Sequence, residues 1–489
     1  FLYLLSDLDH KEVLNKCNGM FAFALWLERE QKLILGRDRF GKKPLFYHID
    51  KNGLKFASEA KALKSLDVHF EVNHEAVINY IFEITIGKNE QSFFKNIQQI
   101  KNGALVYYSI SHEGKIFQEK VEQYWHYPQK ARKIKYQEAV EEFRNLLTDA
   151  VNTRLAEEVD YAVMISGGLD SSSVASFAAK YNSSKSITSI SAVYPGDEKD
   201  ESYFAKLVTD KYSNLNPIWV DDINHEKFHE NVNDVIYHLE SPIADGSLIA
   251  QHILMKKIRE KGIKVILSGN GGDEVLAGYP TIFLPAYELE EWKNGKFSFP
   301  TFRTLYHLLP NAIKNYMYKE KHKKLGILKN DKILKHNWKR FNDFGTDDKL
   351  NNYLINGLEH WTLPNLMWYE DRNSMAASIE SRCPLLDYRI VEFLLSIPAS
   401  YKINKNFTKR ILRDAAKNVV PQPILDRTDK QGFHAPTNKW VEYIDKNFLK
   451  DSSFIEEFDY LNLNKIESAP FRTYWRTFTL YLWYKKFFV

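Results

Sequence analysis

The stretch YAVMISGGLDSSSVASFAAKYN, residues 161–182, divides into three pieces. Residues 161–165 are a short apolar run, 166–168 a tight polar turn, and 169–181 carry apolar side chains at helical spacing. Two adjacent glycines between a buried strand and a helix let backbone N–H groups turn toward an anion, and the helix N-terminus adds the positive end of its dipole. Ser166, Ser171 and Ser172 supply hydroxyl donors beside Gly167 and Gly168. A plain strand-to-helix turn with a serine cap would explain Ser-Gly-Gly alone. The whole string SGGLDSS in a strand–loop–helix setting points instead to phosphate. Asp170 then has a role, because a carboxylate beside polyphosphate is tolerable when a divalent cation lies between them.

A second loop repeats this logic. The strand KVILS leads into Ser268-Gly269-Asn270-Gly271-Gly272-Asp273-Glu274. In a parallel sheet the C-terminal ends of neighbouring strands face one crevice, so Asp273 and Asp170 are expected to share one metal ion, Mg²⁺. Neither loop ends in the Gly-Lys-Ser/Thr of a Walker A motif.

The remaining sequence sets the frame. The chain has 489 residues, which suggests two or three domains, and 44% of them are hydrophobic, enough for sizeable cores. A formal net charge of +4 gives no support to a dedicated nucleic-acid binder. The run KEKHKK at 319–324 reads as a solvated helix face. Two cysteines, Cys17 and Cys383, make no disulfide framework or zinc cluster and suit a reducing, cytoplasmic setting as buried thiols. No apolar run reaches the length of a membrane span, and the aromatic tail 474–488 reads as a packing helix. The chain begins with Phe inside a helical pattern, so it reads as a fragment.

Short β-rich runs separated by turn residues fill 18–126 and predict antiparallel strands; 130–138 is polar and basic, a linker. Beyond it, apolar strands at 162–165, 188–193, 218–220 and 264–267 alternate with helical segments, which predicts an α/β fold with a parallel sheet covered by helices on both faces. After 280 the chain turns mostly helical.

The first loop resembles the pyrophosphate loop (PP-loop) of the N-type ATP pyrophosphatases. Together, SGGLDSS and SGNGGDE resemble the synthetase domain of glutamine-dependent asparagine synthetases. YEDRNSMAASIESRCPLLDYRIVEFLLSIP (369–398), TKRILRDAA (408–416) and PQPILDRTDKQGFHAP (421–436) agree in order. LNKCNGMFAFALWLERE and LILGRDRFGKKPLFYHI resemble the second half of that family's class II, Ntn-type glutaminase domain. The resemblance implies residues 1–130 as a partial α+β glutaminase domain and 131–489 as the synthetase domain. It implies ATP and Mg²⁺ as cofactors, aspartate with glutamine or ammonia as substrates, and a homodimer. The implied reaction is adenylation of the aspartate side chain to β-aspartyl-AMP with pyrophosphate release, followed by attack of ammonia.

Residue by residue, the resemblance places Met164 and Ala192 against adenine, and Ser268 and Gly269 against the nucleotide. Lys430 would neutralise pyrophosphate and transition-state charge, although on its own it reads as a surface-loop lysine. Asn270, Glu370, Asp371 and Arg372 would line the amino-acid side, while an Asp–Arg pair inside a helix equally suits an internal salt bridge. Lys409, Arg413 and Arg427 are further cations near the phosphate end, without assigned roles.

Two departures bear on substrate. The family's nucleophilic N-terminal cysteine falls outside this chain; the intact protein is expected to carry it. Asn270 stands where these enzymes often hold a carboxylate, which leaves open a related adenylating enzyme, such as a β-lactam or peptide macrolactam synthetase. A PP-loop enzyme acting on tRNA lacks its basic surface here, and retention of Asp170, Asp273 and Lys430 argues against a non-catalytic scaffold.

Overall fold

The computed structural model describes residues 5, 8–83, 90–111, 115–155, 158–221, 227–293, 295, 304–305, 309, 311–329, 342–404, 407–429, 432 and 435–489. The chain forms two compact units: residues 1–128 with 357–372 and Phe488, and the remainder.

In the first unit, β1 (Ala22–Leu27), β2 (Lys32–Arg37), β6 (Ala104–Ile110) and β7 (Ile116–Gln123) form an antiparallel sheet in the order β1-β2-β6-β7. A second sheet has the order β4-β3-β5, from β3 (Phe46–Asp50), β4 (Gly53–Ala57) and β5 (Gln98–Gln99). Leu35, Leu45, Ile100, Val106 and Tyr108 make a buried cluster between them. The turn after β2 is organised by Asp38, whose buried carboxylate accepts from the backbone N–H groups of Phe21, Phe40, Lys42 and Lys43. Arg37 donates to the carbonyls of Gly41, Lys43 and Ile100. Burial pulls its pKa down to about 10, which leaves it charged at neutral pH. The motif RDRFGKKP is thus a polar turn closed by Asp38 and tied by Arg37 and Arg39 to neighbouring carbonyls.

In the second unit, five strands run parallel in the order β10-β9-β8-β11-β12: β8 (Tyr161–Met164), β9 (Ile187–Ala192), β10 (Leu215–Val220), β11 (Val265–Leu267) and β12 (Glu380–Arg382). Runs such as VIL are buried throughout, as a sheet covered on both faces requires. From β8 the chain crosses through helix Leu169–Tyr181 to β9, then through Ser202–Lys211 to β10. After helices Phe228–Leu239 and Ser247–Glu260 it returns on the opposite side of β8 as β11. Strand order therefore reverses between β8 and β11, where the two glycine loops begin. Ala162 pairs with Ile266 and Val163 with Leu267, so both loops leave the sheet at the same level.

The structure adjusts the sequence-based expectations locally. The polar linker ends earlier, because the helix Tyr136–Arg154 has already begun within it. β12 and β7 were not foreseen; β12 is three residues long, too short to show a period, and β7 is mostly exposed and polar. Cys383 is buried, but Cys17 is only partly so. The run at 319–324 lies on helix Asn311–Leu325, with Lys321, Lys323 and Lys324 exposed. The tail forms helix Phe471–Phe488, whose Trp475 and Trp483 donate from buried positions to the carbonyls of Ile243 and Glu240. Most of the opening segment at 1–7 lies outside the described residues.

Asp387 joins two helices. Its wholly buried carboxylate caps helix Tyr388–Ser396, accepts from Arg154 at 2.8 Å, and is forked by Arg389. Asp387→Ala should strand Arg154 without its partner and lower stability by about 3 kcal/mol, read from the guanidinium unfolding midpoint.

Candidate active site

The first loop is shaped by its own hydroxyls. Ser166 Oγ and Ser171 Oγ lie 2.9 Å apart, the backbone N–H of Ser166 donates to Ser171 Oγ, and that hydroxyl donates to the carbonyl of Gly168. Gly167 adopts φ +84°, and a Cβ there would stand 2.6 Å from the Glu201 carbonyl oxygen, so only glycine fits. No side chain caps the helix that follows, which leaves its positive end available to an anion. Ser172 is fully buried in the first turn.

The glycines of the second loop answer to the first. A Cβ on Gly269 would stand 2.5 Å from the backbone nitrogen of Ser171, and one on Gly272 would stand 2.5 Å from the Asp170 carboxylate carbon. The two loops are packed backbone to backbone at the switch point, where ligands bind in open α/β sheets. Ser268 continues the sheet by donating to the carbonyl of Arg382. Glu274, adjacent to Asp273, is turned away from this role: it is buried and accepts from the Tyr279 hydroxyl at 2.8 Å.

Between the loops lies Lys409. Its Nζ is 2.5 Å from Asp170 Oδ2 and 2.5 Å from Asp273 Oδ1, and its side chain is 7% exposed. Burial opposes its charge, but the two carboxylates outweigh burial and hold its pKa above the ordinary lysine value of 10.5. The part of the stability linked to the lysine's proton is therefore complete below pH 10.5 and is lost as pH rises through the higher folded value. Lys409 is thus charged near neutrality.

Two arginines support the same corner. Arg427 donates to the Gly167 carbonyl at 3.1 Å, pairs with Glu201 and Asp429 at 2.6 Å each, and stacks on Phe204 at 3.9 Å. Arg413 donates to the carbonyls of Thr408 and Leu425. Burial lowers its pKa against the pull of Asp170. Sequence reasoning left Lys409, Arg413 and Arg427 without roles, because the contact between Lys409 and Asp170 spans 239 positions. The signal was the dense cationic content of TKRILRDAA and DRTDK.

The other expected site residues divide. Met164 and Ala192 lie half-buried at the C-terminal ends of adjacent strands β8 and β9. Asn270 is half-buried between Gly269 and Gly271. Lys430 lies outside the described residues. Glu370, Asp371 and Arg372 belong to the first unit. There Asp371 pairs with Lys43 at 2.8 Å, and Arg372 stacks on Trp368 at 3.9 Å.

Comparison with known proteins agrees with this geometry. A model of the asparagine synthase family matches residues 142–467, and a glutamine amidotransferase domain model matches 3–125. The chain belongs to the asparagine synthase family. Membership places it among the amide-forming carbon–nitrogen ligases. Asparagine synthetase [glutamine-hydrolyzing] 3 of Bacillus subtilis (strain 168) is 26% identical over 490 residues, covering 95% of this chain and 76% of that protein. Asparagine synthetase [glutamine-hydrolyzing] 2 of the same organism is 28% identical, covering 90% and 59%. Amidase chyE of Penicillium rubens is 27% identical, covering 90% and 72%. Among the described residues, no helix is long and apolar enough to cross a membrane.

Among the described residues, no group of three or more His, Cys, Asp or Glu side chains gathers as a metal cage. Asp170 and Asp273 nevertheless fit Mg²⁺: both are hard oxygen donors that already grip one common cation, and Mg²⁺ commonly binds through one or two carboxylates plus substrate phosphates. The close approach of the loops is open to test. Gly272→Ala should destabilise the protein by about 1–3 kcal/mol as the Asp170 carboxylate is pushed aside. Gly19→Ala, with nothing within 4 Å of the new Cβ, should stay within about 0.5 kcal/mol in the same denaturant titration.

Proposed function

We propose that the chain carries out ATP-dependent amide formation on aspartate. The side-chain carboxylate attacks the α-phosphorus of ATP to give β-aspartyl-AMP and pyrophosphate, and ammonia then displaces AMP to give asparagine. In the intact protein glutamine supplies the ammonia, with residues 1–130 as part of the glutaminase domain and 131–489 as the synthetase domain. The observation that carries this reading is the packing of two glycine loops at the switch point, with Asp170 and Asp273 drawn to one cation.

In this reading Gly167, Gly168 and the helix start hold polyphosphate, and Ser166, Ser171, Ser268 and Gly269 line its path. Met164 and Ala192 hold adenine at the strand ends. Asp170 and Asp273 hold Mg²⁺, which when bound screens the phosphates and favours departure of pyrophosphate. Lys409 and Lys430 meet the negative charge that collects on the leaving group. Arg427, by gripping the Gly167 carbonyl, steadies the first glycine loop. Asn270, beside the second glycine loop, is assigned to the acceptor side.

A second reading rests on Asn270 and on the similarity to an amidase: the same adenylation chemistry applied to a different carboxylate. Both readings are tested by supplying ATP, Mg²⁺, ammonium and single candidate carboxylates, then measuring pyrophosphate and amide. Aspartate should give asparagine; release driven only by another acid would select the second reading. Asp170→Asn should lower pyrophosphate release by roughly 1000-fold with the fold intact by circular dichroism. Near-normal turnover would remove Asp170 from the site.

A further inference from the structure

We infer that Lys409 holds the metal position itself until nucleotide arrives, so that a divalent cation enters between Asp170 and Asp273 only together with phosphate. The inference rests on the nucleotide reading above and adds an order of events to it. Its ground is the double contact of one ammonium with both carboxylates, 2.5 Å each, in a corner where the lysine is almost wholly buried.

The fold aims Lys409 at this position. Its backbone is left-handed, with φ +56°, and its N–H donates to the carbonyl of Leu276 at 3.2 Å. Its stem runs against Gly278, where an added Cβ would stand 2.4 Å from Lys409 Cε and closer still to Asp273. Glycine at 278 is what admits the lysine.

Charge then decides what can bind. Two carboxylates and one ammonium leave a single negative charge. A dication added beside the lysine would overturn that balance, with the Arg413 guanidinium, which interacts with the charge of Asp170, adding more positive charge. A polyphosphate reverses the sign: it gives the metal further oxygen ligands and gives the displaced ammonium new anions. Metal and nucleotide therefore bind with positive coupling, and the coupling is reciprocal.

The test uses the full chain with Mn²⁺ as the probe, its protein-bound fraction followed by electron paramagnetic resonance. Wild-type protein should bind Mn²⁺ roughly 100-fold more tightly with a non-hydrolysable ATP analogue than without it. Lys409→Met should bind Mn²⁺ without nucleotide, and adding Asp273→Asn to that variant should abolish the binding. Equal wild-type affinity with and without the analogue, at a site lost in Asp273→Asn, would overturn the inference. This wild-type comparison decides the matter even if Lys409→Met fails to fold. Calorimetry with the analogue separates the two claims: no binding would remove the nucleotide reading, and with it the coupling. The Lys409→Met arm would then still report whether the lysine occupies the metal position.

Discussion

One ammonium shared by two carboxylates governs the second unit. Asp170 follows β8, Asp273 follows β11, and Lys409 precedes a short helix far along the chain. Removing three charges from water is costly, and the cost is met only when opposite charges lie close and well oriented. The sheet must therefore deliver β8 and β11 side by side, in register, so that both loops reach the same cation. The order β10-β9-β8-β11-β12 does this by reversing direction between them.

Glycine is the means of approach. At 269, 272 and 278 a side chain would enter the Asp170–Ser171 backbone, the Asp170 carboxylate or the Lys409–Asp273 pair. These positions concern proximity rather than backbone freedom, since none has a positive φ; Gly167 and Gly271 do, at +84° and +89°. The motif SGNGGDE thus mixes two requirements that a sequence pattern does not distinguish. Its second acid is also separate in kind, because Glu274 serves the Tyr279 hydroxyl while Asp273 faces the lysine.

The first unit shows the same economy of polar groups. Asp38 closes the turn that follows β2, Arg37 satisfies three carbonyls, and Lys43 reaches Asp371. RDRFGKKP is accordingly explained within that unit by turn closure and ion pairing. Asp371 takes Lys43, and Arg372 takes the faces of Trp368 and Phe46.

The sequence by itself determined the parallel sheet, the antiparallel strands before it and the two glycine loops. Each is a local signal: an apolar run of strand length, then glycines, then a helical period. Asp170 and Asp273 were legible for the same reason, as acids placed directly after strands. Tertiary structure alone decided what joins them. A lysine at 409, an arginine at 427 and a three-residue strand at 380–382 carry no local pattern that separates them from surface residues or a loop. Their roles arise from contacts spanning hundreds of residues, and such contacts exist only once the strand order has been set.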